Sequence, residues 1–157
     1  MLSWQPLIMP EMYDRLDATD SNSKWDFKKH TPDVVVINLF QNDFWLINMP
    51  DHEEFKHKFG DKAPEKNYII DAYKNFVKTI RSKYPNATII CVLGNMDAIK
   101  MGSSWPAYIT HAVEQLRDPK IYTHFFEFKN TGGHPRINEQ KAMASSLIQF
   151  IERKIKW

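Results

Sequence analysis

At 157 residues the chain has room for one domain with a real core, and its 43% hydrophobic and 25% charged residues are those of an ordinary globular protein. A formal charge of +2, with no basic tract, does not indicate a nucleic-acid partner. No run of about 18 apolar residues offers a membrane-spanning helix, and Met1-Leu2-Ser3-Trp4 lacks the basic start and apolar middle of a signal peptide.

Residues 1–30 are the least regular part. Pro6, Pro10 and the polar run 17–24 break any long periodicity, and only 11–16 suits a short helical turn, so this lead-in is expected to be a surface segment wrapping an edge. Residues 34–40 (VVVINLF) form a nearly unbroken apolar run, predicted to be a parallel strand covered on both faces. Gln41, Asn42 and Asp43 follow at its carboxyl end, where open α/β sheets place their ligand sites. Residues 48–66, with Pro50, Gly60 and Pro64 among many charges, read as a long loop or short helix.

From residue 67 the period becomes helical. Ile69, Tyr73, Phe76, Val77 and Ile80 share a stripe while Lys74, Lys78 and Arg81 face away, and Pro85 and Asn86 end the helix. A second buried strand is predicted over 87–93, closing on Gly94-Asn95-Met96-Asp97, with the lone Cys91 inside it as a small core residue. A second helix begins at Trp105, with Ser103 or Ser104 as cap, Pro106 in the first turn and Ile109, Ala112, Val113 and Leu116 on the core face. A third strand is predicted over 121–128 and a third helix over 138–154, with Met143, Leu147, Phe150 and Ile151 turned inward. Strands alternating with helices imply parallel pairing through right-handed crossovers, hence a three-layer α/β/α domain with a parallel sheet, flavodoxin-like in outline. Three strands are few for this length, so the chain reads as a single partial domain lacking its amino-terminal strands.

The polar residues at the strand ends are the functional clue. Asn42 either aims an amide N–H at developing negative charge or pins its loop by Asx-type bonds. His134, in Gly132-Gly133-His134-Pro135, is poorly suited to a core and well suited to proton transfer. Asp43 reads as a structural acceptor near that site, and Asp43, Asp97 and Trp105 are candidates to line a substrate cleft. His30, His52, His57, His111 and His124 share no metal-ligand spacing, so neither a metal nor a cofactor is expected. No glycine-rich loop opens a helix, which disfavours a nucleotide site.

With Phe40-Gln41-Asn42-Asp43 and Thr131-Gly132-Gly133-His134 in this order, and Trp105-Pro106-Ala107-Tyr108 and a final helix beside them, the chain resembles the SGNH/GDSL-type hydrolases, in particular carbohydrate esterases of family two. The likeness runs from about Trp4 to the end. In that superfamily a G-x-N-D block provides an oxyanion-hole Asn and a D-x-x-H block the catalytic His, so the resemblance implies these roles for Asn42 and His134. Phe40 stands where the block has glycine. Thr131 stands where it has the Asp of a triad, and its replacement by alanine is expected to be nearly silent. Family-two esterases work with a Ser-His dyad whose histidine is held by backbone carbonyls. Their serine lies in a G-D-S block on an earlier strand, which is expected upstream of this chain. The one local likeness, Thr19-Asp20-Ser21, has no apolar strand before it.

The resemblance thus implies a carboxylic ester hydrolase that deacetylates a polysaccharide such as xylan, its nucleophilic serine absent from this chain, which alone is expected to be inactive. The alternative is a non-catalytic carbohydrate-binding or assembly module on the same scaffold. Expected partners are an acetylated carbohydrate and, along an open sheet edge, either the missing amino-terminal portion or a second copy. The chain itself indicates no compartment, although the family is commonly secreted or periplasmic.

Overall fold

The computed structural model describes residues 7–155; residues 1–6, including Pro6 and the Met1-Leu2-Ser3-Trp4 start, lie outside them. In chain order the elements are α1 (Met9–Met12), β1 (Val34–Asn38), α2 (Gln41–Ile47), α3 (Glu53–Phe59), α4 (Lys66–Lys83), β2 (Thr88–Leu93), α5 (Trp105–Leu116), β3 (Ile121–Phe125) and α6 (Ile137–Lys154). The strands form a three-stranded parallel sheet in the order β1-β2-β3, with Val36 opposite Ile90 and Ile90 opposite Tyr122.

Alternation along β2 explains the layers. Ile89, Cys91 and Leu93 point into a core with Tyr73, Phe76, Val77 and Ile80 of α4 and Ile109 and Ala112 of α5. Ile90 and Val92 point the other way, and with Phe126 they meet Met143, Leu147, Phe150 and Ile151 of α6. A strand covered on both faces has no need of polar positions, hence the unbroken apolar sequence of β2. No residue of α6 is fully buried, so its layer is the thinner one. Arg81 in the last turn of α4 ties that helix to the connections leading into β2 and β3. Its Nε donates to Asp118 Oδ2 at 2.8 Å, and its Nη1 donates to the carbonyls of Tyr84 (3.0 Å) and Ala87 (2.6 Å).

The predicted α/β class, the parallel order and the three main helices match the structure, but several bounds do not. β1 stops at Asn38 rather than at 40 and is not covered on both faces: it is an edge strand, with Val36 41% exposed and Ile37 buried. Beside it runs an apolar groove of about 300 Å³ between Met9, Tyr13, Val35, Val36, Leu39 and Phe76, among others. β3 ends at Phe125, three residues early against the predicted 128. Residues 41–47, read as a strand end, are α2, too short for its periodicity to stand out, while the stretch read as a long loop or short helix contains the short helix α3. In the lead-in the helical turn is α1 instead of 11–16. Tyr13 packs edge-on to Phe76, and Phe27 packs edge-on to Tyr84 just past the carboxyl end of α4. Among the described residues no helix is long and apolar enough to cross a membrane.

Candidate active site

The chain leaves β1 through a sharp turn at Phe40, whose φ of +83° lies in the left-handed region. Side chains other than glycine meet steric resistance there, of roughly 1–2 kcal/mol. That is a physical reason for glycine at the corresponding place of the G-x-N-D block. Here the cost is offset by burial: Phe40 is 1% exposed, its ring 4.7 Å from that of Tyr73 and 4.8 Å from that of Trp105. The turn starts α2, so Asn42 sits in a helical first turn and not on the strand.

Gln41 fastens that turn to the neighbouring strand end. Its Nε2 donates to the Gly94 carbonyl at 2.8 Å, and its Oε1 accepts the Ala98 N–H at 3.2 Å. Ala98 belongs to the 3-10 turn Asp97–Ile99, so the same pair of bonds fastens the turn that carries Asp97 to the start of α2. The third wall is the loop after β3, joined to the second by the Lys129 N–H, which donates to the Asn95 carbonyl at 3.0 Å. A cleft of about 280 Å³ lies between them at the carboxyl edge of the sheet. It is lined by Gln41, Asn42 and Trp45 from the first wall, Met96 and Asp97 from the second, and Lys129 and residues 131–134 from the third.

Asn42, Asp97 and His134 therefore meet in one cleft, although they come from three different connections. His134 is solvent-exposed and follows Gly133, whose φ is +73°. Two of the expected cleft residues are elsewhere. Trp105 is buried in an aromatic cluster with Phe40, Phe44 and Tyr108, because the first turn of α5 packs its indole inward. Asp43 is 5% exposed within α2 and lies outside the lining, a position suited to a carboxylate bonded within the protein rather than one offered to substrate.

Sequence reasoning overlooked Trp45 and Lys129, and it placed Gln41 at the strand end without a role of its own. Trp45, 50% exposed, borders both the cleft and an apolar recess of about 90 Å³ with Leu46, Met49 and His52. Once α2 is known to start at Gln41, the four-residue spacing between Gln41 and Trp45 puts both on one face.

Thr131 has partners of its own. Its hydroxyl donates to Glu139 Oε1 at 2.6 Å and accepts from Lys129 Nζ at 2.9 Å. Glu139 Oε2 accepts the Arg136 N–H at 2.6 Å, capping α6. That backbone N–H, and after it the Thr131 hydroxyl, hold the Glu139 carboxyl below its ordinary value. Among the described residues Thr131 is the one hydroxyl-bearing residue of the lining, and no Ser or Cys lines the cleft. Ser103 donates to the Ala98 carbonyl at 2.6 Å, and its Oγ accepts the Trp105 N–H at 3.3 Å, a capping arrangement. Ser21 belongs to the lead-in and is outside the cleft lining; Phe27, further along that lead-in, packs on Tyr84 ahead of β2. Among the described residues no three His, Cys, Asp or Glu side chains cluster as a metal ion requires.

A parallel sheet with this cleft at its carboxyl edge is the architecture of SGNH-type esterases. Over nearly its whole length the chain is homologous to carbohydrate esterases of family two. It is 33% identical to the cellulase/esterase CelE of Acetivibrio thermocellus across 97% of this chain and 18% of that protein. It is 22% identical to an acetylxylan esterase / glucomannan deacetylase of Cellvibrio japonicus across 95% of this chain and 38% of that protein. A solved family-two carbohydrate esterase from Clostridium thermocellum, in complex with cellohexaose, superposes with a TM-score of 0.73 at 32% identity, covering 96% of this chain and 44% of that one. The chain thus spans less than half the length of each of these relatives. No family model matches it.

Proposed function

We propose that this chain supplies the oxyanion-binding and proton-transferring part of an esterase acting on acetylated polysaccharide, with the serine nucleophile contributed by polypeptide outside residues 1–157. The observation behind this reading is the convergence of Asn42 and His134 in a cleft that, among the described residues, no serine or cysteine lines. The edge of β1, unpaired among the described residues, and the apolar groove beside it offer a place for a further strand to pair and bring a nucleophile to the carboxyl edge. The homology to family-two esterases supports the ester chemistry and the carbohydrate substrate.

In the completed site His134 takes the proton of the serine hydroxyl as its oxygen attacks the acetyl carbonyl. The Asn42 side-chain N–H donates to the oxyanion of the tetrahedral intermediate, and His134 returns the proton to the departing sugar hydroxyl. Water then attacks the acyl-enzyme with His134 as base and releases acetate. Asn42→Ala is expected to lower kcat by about two to three orders of magnitude with little change in KM, since one oxyanion donor contributes roughly 3–4 kcal/mol in the transition state alone. An unchanged kcat, measured with aryl acetate and acetylated xylan, would remove the oxyanion role.

A second reading, a carbohydrate-binding module without turnover, is favoured by the half-exposed Trp45 at the cleft rim, an aromatic face on which an apolar sugar face can rest. Binding of acetylated oligosaccharide without hydrolysis by the completed protein would favour it over the first.

A further inference from the structure

We propose that Thr131, held between Glu139 and Lys129, is the positioning residue that orders the His134 loop. The loop needs such a device. Asn130 (φ +50°) and Gly133 (φ +73°) both have left-handed backbone, and Gly132 and Gly133 directly precede His134. Paired glycines on an exposed loop lose more conformational freedom on ordering than any other residues.

The hydrogen bonds form one chain across this segment. Lys129 is fixed at its backbone by the Asn95 carbonyl (3.0 Å), and its Nζ donates to the carbonyls of Thr131 and Gly132 as well as to the Thr131 hydroxyl. The Thr131 hydroxyl passes its own proton to Glu139 Oε1, and Glu139 Oε2 takes the Arg136 N–H. His134 lies between Thr131 and Arg136, so both flanks of the imidazole-bearing residue are tied to one carboxylate. Thr131 stands three residues before His134, as the Asp of the D-x-x-H block does. A threonine there can restrain where the imidazole sits, whereas it cannot supply the charge that an aspartate would. Charge-assisted bonds to Glu139 and Lys129 make the restraint stronger than a neutral pair would be. The expectation of a nearly silent Thr131→Ala is revised accordingly.

Thr131→Val is the variant to test, because it keeps the shape, removes both hydroxyl bonds and leaves the Glu139 cap of α6 in place. In the 157-residue chain, ¹⁵N relaxation of Gly132, Gly133 and His134 should show order parameters falling from about 0.85 to below about 0.6, with Thr131→Ser restoring them. Unchanged order parameters in Thr131→Val would overturn the proposal. The kinetic consequence rests on the esterase reading above. In the completed enzyme Thr131→Val should lower kcat roughly tenfold at unchanged KM, with Thr131→Ser near the parent, because misplacing a catalytic group costs rate rather than affinity. A loosened loop with full kcat would overturn the positioning role. An inactive parent would instead count against the esterase reading, and the relaxation measurement would still decide whether Thr131 orders the loop.

Discussion

Replacing Phe40 once by alanine and once by glycine separates the two opposing contributions at the turn that aims α2. The ring is 1% exposed between Tyr73 and Trp105, so truncation to alanine should cost about 3–5 kcal/mol, the usual range for a buried phenylalanine. Alanine keeps the strain of a Cβ at φ +83°. Glycine removes that strain of roughly 1–2 kcal/mol and gives back part of it, about 0.5–1 kcal/mol, through its freer unfolded chain. The glycine variant should therefore be more stable than the alanine variant by about 1 kcal/mol, the reverse of the order at ordinary positions. For a chain of this size each kcal/mol moves the midpoint by about 2–4 °C, so alanine should lower Tm by roughly 6–20 °C and glycine should recover about 2–4 °C. Thermal and urea denaturation of the three proteins provide the assay. An alanine variant as stable as the glycine variant, or more so, would refute a left-handed backbone at Phe40 and with it the account of how Asn42 is aimed.

Two further predictions follow from titratable groups away from the cleft. Partial burial first, and the nearby Arg153 second, hold the His124 imidazole below its ordinary value of 6.5, against Phe126, Phe150 and the Ser146 hydroxyl. Its contribution to stability is then full above the unfolded value and lost as pH falls through the lower folded one. Urea midpoints should drop on acidification from about pH 8 to pH 5, and less steeply in His124→Gln. Equal slopes would contradict the assignment. Burial pushes the Cys91 thiol up to about 12, so iodoacetamide should leave the native chain unmodified and label it fully in denaturant. Rapid native alkylation would show that β2 is not enclosed on both faces.

What was legible in the sequence was whatever a repeating pattern or a short motif encodes. The stripe of Ile69, Tyr73, Phe76, Val77 and Ile80 specified α4, and the unbroken run around Cys91 specified a doubly covered strand. The same logic misjudged β1, because Val34, Val35 and Val36 look buried whether or not a further strand covers them, and Val36 is exposed along an open edge. The seven residues of α2 were hidden because Gln41, Asn42 and Asp43 read equally well as the polar end of a strand. That error concealed Trp45, which reaches the cleft only through helical spacing. At the site, Asn42, Asp97 and His134 were found by motif and strand-end logic. Trp105 was misplaced because an aromatic residue at a helix start gives no sign of which way it packs. The partners of Thr131 were out of reach, since the bonds to Glu139 and Lys129 depend on how the loop folds back on α6.

In the proposed function Asn42 and His134 form part of an ester-hydrolysing site whose nucleophile lies outside these residues. The most direct measurement is aryl-acetate hydrolysis by the 157-residue chain, alone and after joining to an amino-terminal segment of a family-two esterase that carries the G-D-S block. The expected results are a rate no greater than that of free histidine for the chain alone, turnover in the joined protein, and loss of that turnover in His134→Ala. Turnover by the chain alone that disappears in Ser21→Ala, or joined activity that survives His134→Ala, would contradict it.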